Sequence, residues 1–180
     1  GDGTGEHPSQ AMLDLYTIER EKGGLDGLTV AMVGDLKNGR TVHSLSQALS
    51  HWKAKLMLVS PPALAMPEEL LDKLSAAGVT LEQTTDLRAG LANADVAYVT
   101  RVQQERFADP AEYLRYKGVY VIDAQTIAAA KTGLTIMHPL PRVDEIATDV
   151  DTLPNAAYFK QARYGVYVRM ALLAMVLGAV

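Results

Sequence analysis

Four of the arginines in this 180-residue chain stand in polar segments that each follow a short apolar run. Arg40 closes the loop Gly34-Asp35-Leu36-Lys37-Asn38-Gly39. Arg101 and Arg106 lie in Thr100-Arg101-Val102-Gln103-Gln104-Glu105-Arg106, and Arg142 follows His138-Pro139-Leu140-Pro141. A guanidinium grips a carboxylate through two parallel charge-assisted hydrogen bonds, so arginines gathered on one rim suit a small dianionic ligand. The competing reading is internal pairing with Asp35, Glu105, Asp144 or Glu145. His7 directly precedes Pro8, a residue that favours the first turn of a helix. Its imidazole therefore stands where a helix start receives polar ligands. His43 and His51 fall within or at the end of a helical stretch and read as structural or solvated. His138, placed before a proline, reads as a loop-holder.

Other chemistries find less support. The chain has no Cys and no paired His spacing, so neither a thiolate nucleophile nor a metal site is expected, and no cofactor. The Gly34 to Gly39 loop has the spacing G-x-x-x-x-G without Lys-Ser/Thr after it, and G-x-G-x-x-G is absent. Ser60-Pro61-Pro62 follows the second apolar run, where a nucleotide-binding sheet would carry an acidic residue. Nucleotide binding is disfavoured.

The elements that must position these residues alternate along the chain. Continuous apolar runs predict strands at 28–33, 55–59, 96–100, 119–122 and 134–137, with a weaker one at 79–83. Helical periodicity and punctuation predict helices at 8–22, 41–52, 67–77, 87–92, 110–116, 126–131 and 162–177. Alternating strands and helices imply an α/β fold, an open, doubly wound parallel sheet of Rossmann-like type. In such a sheet ligands bind beyond the carboxyl ends of the strands, which is where the arginine segments fall. The helices at 1–22 and 162–180 flank an α/β core at 23–161, either capping the sheet or reaching towards a neighbouring domain.

The composition agrees with a soluble globular chain: 48% hydrophobic, 21% charged, with a formal charge of -4. The acidic balance argues against nucleic-acid binding. No signal segment or bilayer-length apolar run is visible, so no membrane association is expected, and a cytoplasmic location is the default.

The motifs resemble those of the carbamoyltransferase family. The family's His-Pro-x-Gln stands here as His7-Pro8-Ser9-Gln10, followed by Ala11-Met12-Leu13-Asp14. The stretch Met32-Val33-Gly34 through His43-Ser44 looks like the aspartate branch almost residue for residue, as do Thr100-Arg101-Val102-Gln103 and His138-Pro139-Leu140-Pro141-Arg142-Val143-Asp144-Glu145-Ile146. The resemblance runs from Gly1 to Leu177. The ornithine branch carries His-Cys-Leu-Pro at the last motif, and an Asp with a later Ser-Met-Gly segment. Neither occurs here.

The resemblance implies a site and a set of roles. His7 would donate to the carbonyl oxygen of carbamoyl phosphate, and Gln10 with the backbone carbonyls of Pro139 and Leu140 would hold its amino group. Arg40 and Arg101 would grip the two carboxylates of L-aspartate, aided by Gln103, while the Pro141 carbonyl would receive the attacking amine. Leu140-Pro141 is expected to be cis. The family's phosphate-binding Ser-x-Arg-Thr segment, on an N-terminal carbamoyl-phosphate domain, has no counterpart in this sequence. Nor have the Ser and Lys lent by a neighbouring subunit in what the family implies is a homotrimer. The expectation is the aspartate-binding half of a transferase of pyrimidine synthesis, inactive by itself. The alternatives are a dicarboxylate-binding or scaffold domain without catalysis, and an ornithine carbamoyltransferase.

Overall fold

A computed structural model describes residues 5–179. Residues 1–4, part of the expected leading helical segment, and Val180 at the end of the final one lie outside the described residues.

Five parallel strands form one sheet in the order β3-β2-β1-β4-β5: β1 Thr29–Val33, β2 Lys55–Val59, β3 Thr80–Thr84, β4 Val96–Val99 and β5 Thr135–Met137. β1 lies at the centre, with Val33 paired to Val59 on one side and to Val99 on the other. The switch in strand order therefore falls between the loops after β1 and β4, the crevice where open α/β sheets hold ligands.

Among the described residues seven α-helices accompany the sheet: α1 Pro8–Lys22, α2 Arg40–Leu49, α3 Glu68–Ala76, α4 Leu87–Leu91, α5 Pro110–Tyr116, α6 Ala124–Ala128 and α7 Tyr158–Val176. Pro8 opens α1 and Gly23, with φ 80°, closes it. Asp86, Asp109 and Asp123 cap α4, α5 and α6 by accepting from backbone N–H groups in their first turns. Two apolar layers cover the two faces of the sheet. Met32, Leu45, Leu56, Leu74 and Tyr98 lie in one, and Val33, Leu91, Val99, Ile122, Ile136 and Tyr158 in the other. Each large side chain so buried contributes about 1.5–3 kcal/mol relative to exposure.

Four expectations need correction, the helix expected at 126–131 running instead from Ala124 to Ala128 behind its Asp123 cap. Residues 119–122 form no strand: Ile122 makes only an isolated bridge to Ile146. The outer edge of β5 is already occupied, because Ile136 bonds through its N–H to Asn155 and through its carbonyl to Ala157, so no edge is left to join. The second helix ends at Leu49 rather than 52, in a turn where Ser50 donates to the Gln47 carbonyl. The final helix starts at Tyr158 rather than 162, continuing the segment that caps β5.

One backbone contact sets how close the two site loops come. Gly34, at the end of β1, has φ 115°, and a Cβ there would lie 2.2 Å from the Thr100 carbonyl oxygen. Glycine is the residue that fits. Elsewhere α1 and α7 pack side by side, with Tyr16 and Tyr164 edge to face at 5.5 Å and Lys160 paired to Glu21. Their outer sides remain apolar: Met12, Val166, Met170, Leu173 and Met175 are exposed, while Leu15 is partly buried against the core.

Candidate functional site

The site grows from three loops and one helix start. His7 caps α1, and its carbonyl accepts from the N–H groups of Gln10 and Ala11. Its own N–H donates to the Ser44 hydroxyl at 2.8 Å, and Ser44 in turn donates to Glu6, so α2 fixes the entry of α1. The His7 Nδ1 is buried without a hydrogen-bond partner. Burial, followed by the positive charges of Arg40 and Arg169, holds the imidazole below the usual histidine range. At neutral pH it is an uncharged ring able to donate one N–H.

Arg40 is the first residue of α2. Before it, Asp35 accepts from both the backbone and the side-chain amide of Asn38, which shapes the loop. Arg101 follows β4 directly by way of Thr100, and Glu105 holds its guanidinium with both carboxylate oxygens. The side chains of this pair are 31% and 54% exposed, so water competes with the bond. Gln103 donates to the Asn38 carbonyl at 3.3 Å, tying the second loop to the first.

The third loop leaves β5 through His138. The His138 Nδ1 accepts from the Leu140 N–H at 2.8 Å, and its Nε2 lies 2.7 Å from Glu145, which also accepts from the N–H of Val143. A ring that accepts at Nδ1 must carry its proton at Nε2, and that proton points at the carboxylate. Within this clamp Leu140 has φ 51° and the Leu140-Pro141 bond is cis, as expected. The turn brings Pro139, Leu140 and Pro141 to the wall of the cleft.

All eight sequence-derived site residues line one cleft of about 200 Å³: His7, Gln10, Arg40, Arg101, Gln103, Pro139, Leu140 and Pro141. A larger depression of about 260 Å³ adjoins it across Arg101, bounded by Glu105, Tyr113, Lys117 and Asp144. Arg142 takes no part in the cleft. It pairs with Asp151, an acid absent from the expected partners, and stacks over Tyr158. Arg106 sits in an exposed turn.

Sequence reasoning missed the group beneath Gln10. Asp14, fully buried in α1, accepts from Gln10 Nε2 at 2.9 Å, Gln161 Nε2 at 2.6 Å and the Tyr98 hydroxyl at 2.7 Å. Burial pushes its carboxyl up to about 7, against the opposing pull of those donors. The available signal was a carboxylate on the apolar side of a helix, four residues after Gln10. Among the described residues no group of three or more His, Cys, Asp or Glu is placed to hold a metal, and no helix is long and apolar enough to cross a membrane.

Two arginines, a histidine held below its usual range and the Pro139-Leu140-Pro141 turn line one cleft beside the switch point of a parallel sheet, the arrangement of a ligand-binding α/β domain. The chain belongs to the family described as aspartate/ornithine carbamoyltransferase, Asp/Orn binding domain, whose model matches residues 26–176. It is 56% identical over 178 residues to the aspartate carbamoyltransferase catalytic subunit of Leptospira biflexa, covering 99% of this chain and 57% of the relative. The subunit of the same name from Thermococcus onnurineus is 52% identical, with the same coverage. Among solved structures, the catalytic subunit of M. jannaschii aspartate transcarbamoylase superposes with a TM-score of 0.91 at 48% identity, over 99% of this chain and 58% of that one. The Trypanosoma cruzi enzyme in complex with carbamoyl phosphate and aspartate gives 0.89 at 46% identity, over 96% and 57%. The chain thus spans a little over half the length of the relatives it matches.

Proposed function

We propose that this chain is the aspartate-binding half of an aspartate carbamoyltransferase, which moves the carbamoyl group of carbamoyl phosphate onto the amine of L-aspartate for pyrimidine synthesis. The observation that carries the reading is the convergence of all eight expected residues on one cleft. Arg40 and Arg101 take the two carboxylates, with Gln103 as a neutral donor. Gln10 and the carbonyls of Pro139 and Leu140 accept from the carbamoyl NH2.

The amine attacks the carbamoyl carbon, a C–N bond forms, and negative charge gathers on the carbonyl oxygen. His7, neutral because of its burial beside Arg40 and Arg169, donates an N–H to that oxygen without needing to lose a full charge. As the C–O bond to phosphate breaks, phosphate leaves with the electron pair and takes up the proton shed by the amine, while the Pro141 carbonyl accepts a hydrogen bond from the amine's N–H. Holding both reactants in line supplies much of the acceleration, and no side chain is covalently modified.

On this reading an N-terminal carbamoyl-phosphate domain completes the cleft, residues 1–22 and 162–180 link to it, and the complete enzyme is a cytoplasmic homotrimer. The exposed apolar sides of α1 and α7 support that linkage. His138-Pro139-Leu140-Pro141 favours aspartate over ornithine, and His7 with Gln10 on the same cleft favours a transferase over a bare dicarboxylate binder. The test joins these residues to a domain carrying Ser-x-Arg-Thr and assays transfer from carbamoyl phosphate. Product from L-aspartate and none from L-ornithine is expected; the reverse, or no product from either, refutes the assignment.

A further inference from the structure

We propose that Asp14 is a positioning residue that fixes which end of the Gln10 amide faces the cleft. The inference rests on the functional reading above for its consequence, but on geometry for its substance. A carboxylate can only accept hydrogen bonds, whereas a glutamine amide presents a donor end and an acceptor end that exchange by a half-turn. Gln10 Nε2 lies 2.9 Å from Asp14 Oδ1, so the NH2 end is committed inward and the carbonyl oxygen is left for the cleft that Gln10 lines. An acceptor at that position suits a ligand NH2, which the carbamoyl group supplies. The flipped amide would meet the same ligand with a donor and repel it.

The surroundings over-determine this choice. Tyr98 from β4 donates to the second carboxylate oxygen, and Gln161 from α7 donates to the first. Gln161 is itself committed, because its carbonyl oxygen accepts from the His138 N–H at 2.9 Å. The same chain of bonds that orients Gln10 therefore ends on the loop that carries Pro139 and Leu140, the other acceptors of the proposed NH2 pocket. The bonds run from Gln10 to the loop of Pro139 and Leu140, so the groups they hold directly are the acceptors proposed for the carbamoyl NH2.

The test compares Asp14→Asn with Thr17→Val in the complete enzyme at pH 8. Thr17 donates to the Leu13 carbonyl within the same helix, so its loss perturbs buried bonding in α1 without touching Gln10. Asp14→Asn should raise the KM for carbamoyl phosphate roughly tenfold, the scale of one charge-assisted hydrogen bond, and leave the KM for L-aspartate within about twofold. Thr17→Val should lower Tm while moving neither. An unchanged carbamoyl phosphate KM in Asp14→Asn, or equal effects of the two variants on both substrates, overturns the proposal. Should Asp14→Asn fail to fold, or the wild-type enzyme show no transfer, NMR on the unmodified protein decides. Slowed solvent exchange of the Gln10 side-chain amide protons supports the locked orientation, and free exchange sinks it.

Discussion

The two walls of the cleft follow opposite plans. One is a buried network: Gln10 rests on Asp14, and Asp14 takes three side-chain donors from α1, β4 and α7. The other is a solvated turn, where Arg101 closes on Glu105 four positions later. A fully satisfied buried network holds a single arrangement, because each group set free would be left unpaired in a low-dielectric interior. An exposed ion pair is worth about 0–1 kcal/mol, so an arriving carboxylate can replace Glu105 at little cost. The wall facing the proposed carbamoyl group is thus built in advance, and the wall proposed to face the amino acid is exchangeable.

The largest test is whether either wall works without a complementary domain. The purified 180-residue chain, given carbamoyl phosphate and L-aspartate, should form no product above background, because its sequence has no counterpart of the Ser-x-Arg-Thr segment expected to grip the phosphate. Steady turnover would show that the walls suffice and would end the argument for a shared site. Next comes Arg101→Ala in the complete enzyme. Steady-state kinetics should register a loss of about 3–5 kcal/mol in kcat/KM for aspartate, the cost of truncating one member of a desolvated charge pair. A loss below about 1 kcal/mol would mean that the solvated turn stays solvated and does not hold substrate.

Much of this was legible before any coordinates. β1, β2 and β4 are short apolar runs, and burial on both faces gives parallel strands that signature. Residues 119–122 misled because Tyr120 and Ile122 are buried while Val119 and Val121 are exposed, a strand-like alternation with no free sheet edge to join. The eight cleft residues were readable as motifs, since each motif sits at one strand end or helix start. Asp14 was visible but mute. Its partners Tyr98 and Gln161 lie 84 and 147 positions away, and no local pattern connects them. Arg142 was likewise bound to a partner, Asp151, that only the fold brings near.

The buried wall also has a pH signature. Burial raises the Asp14 carboxyl from 3.8 to about 7, so the native protein keeps a proton that the unfolded chain releases. Its contribution to stability is therefore full below about pH 4 and is lost as pH rises through about 7. Tyr98 from β4 and Arg169 from α7 are the ionisable neighbours that act on it, with neutral Gln10 and Gln161. Urea unfolding across pH 4.5 to 8 should show Asp14→Asn gaining on the wild type by on the order of 2 kcal/mol. A pH-independent difference would contradict the assignment of that proton.

The smallest effect belongs to the exchangeable wall. Glu105→Gln should free Arg101 and lower the KM for aspartate by no more than about threefold, within the worth of an exposed pair. A raised KM would mean that Glu105 shapes the guanidinium for the substrate instead of standing in for it.

Because Gly34 meets Thr100 main chain to main chain, the jaws that carry Arg40 and Arg101 are set like a caliper whose pivot leaves no room for a side chain on the Gly34 side. A gauge of this kind sorts ligands by length before any individual contact is made. A methyl group at Gly34 would spread the jaws while leaving every tip intact, and selectivity would blur without the loss of a single recognised contact.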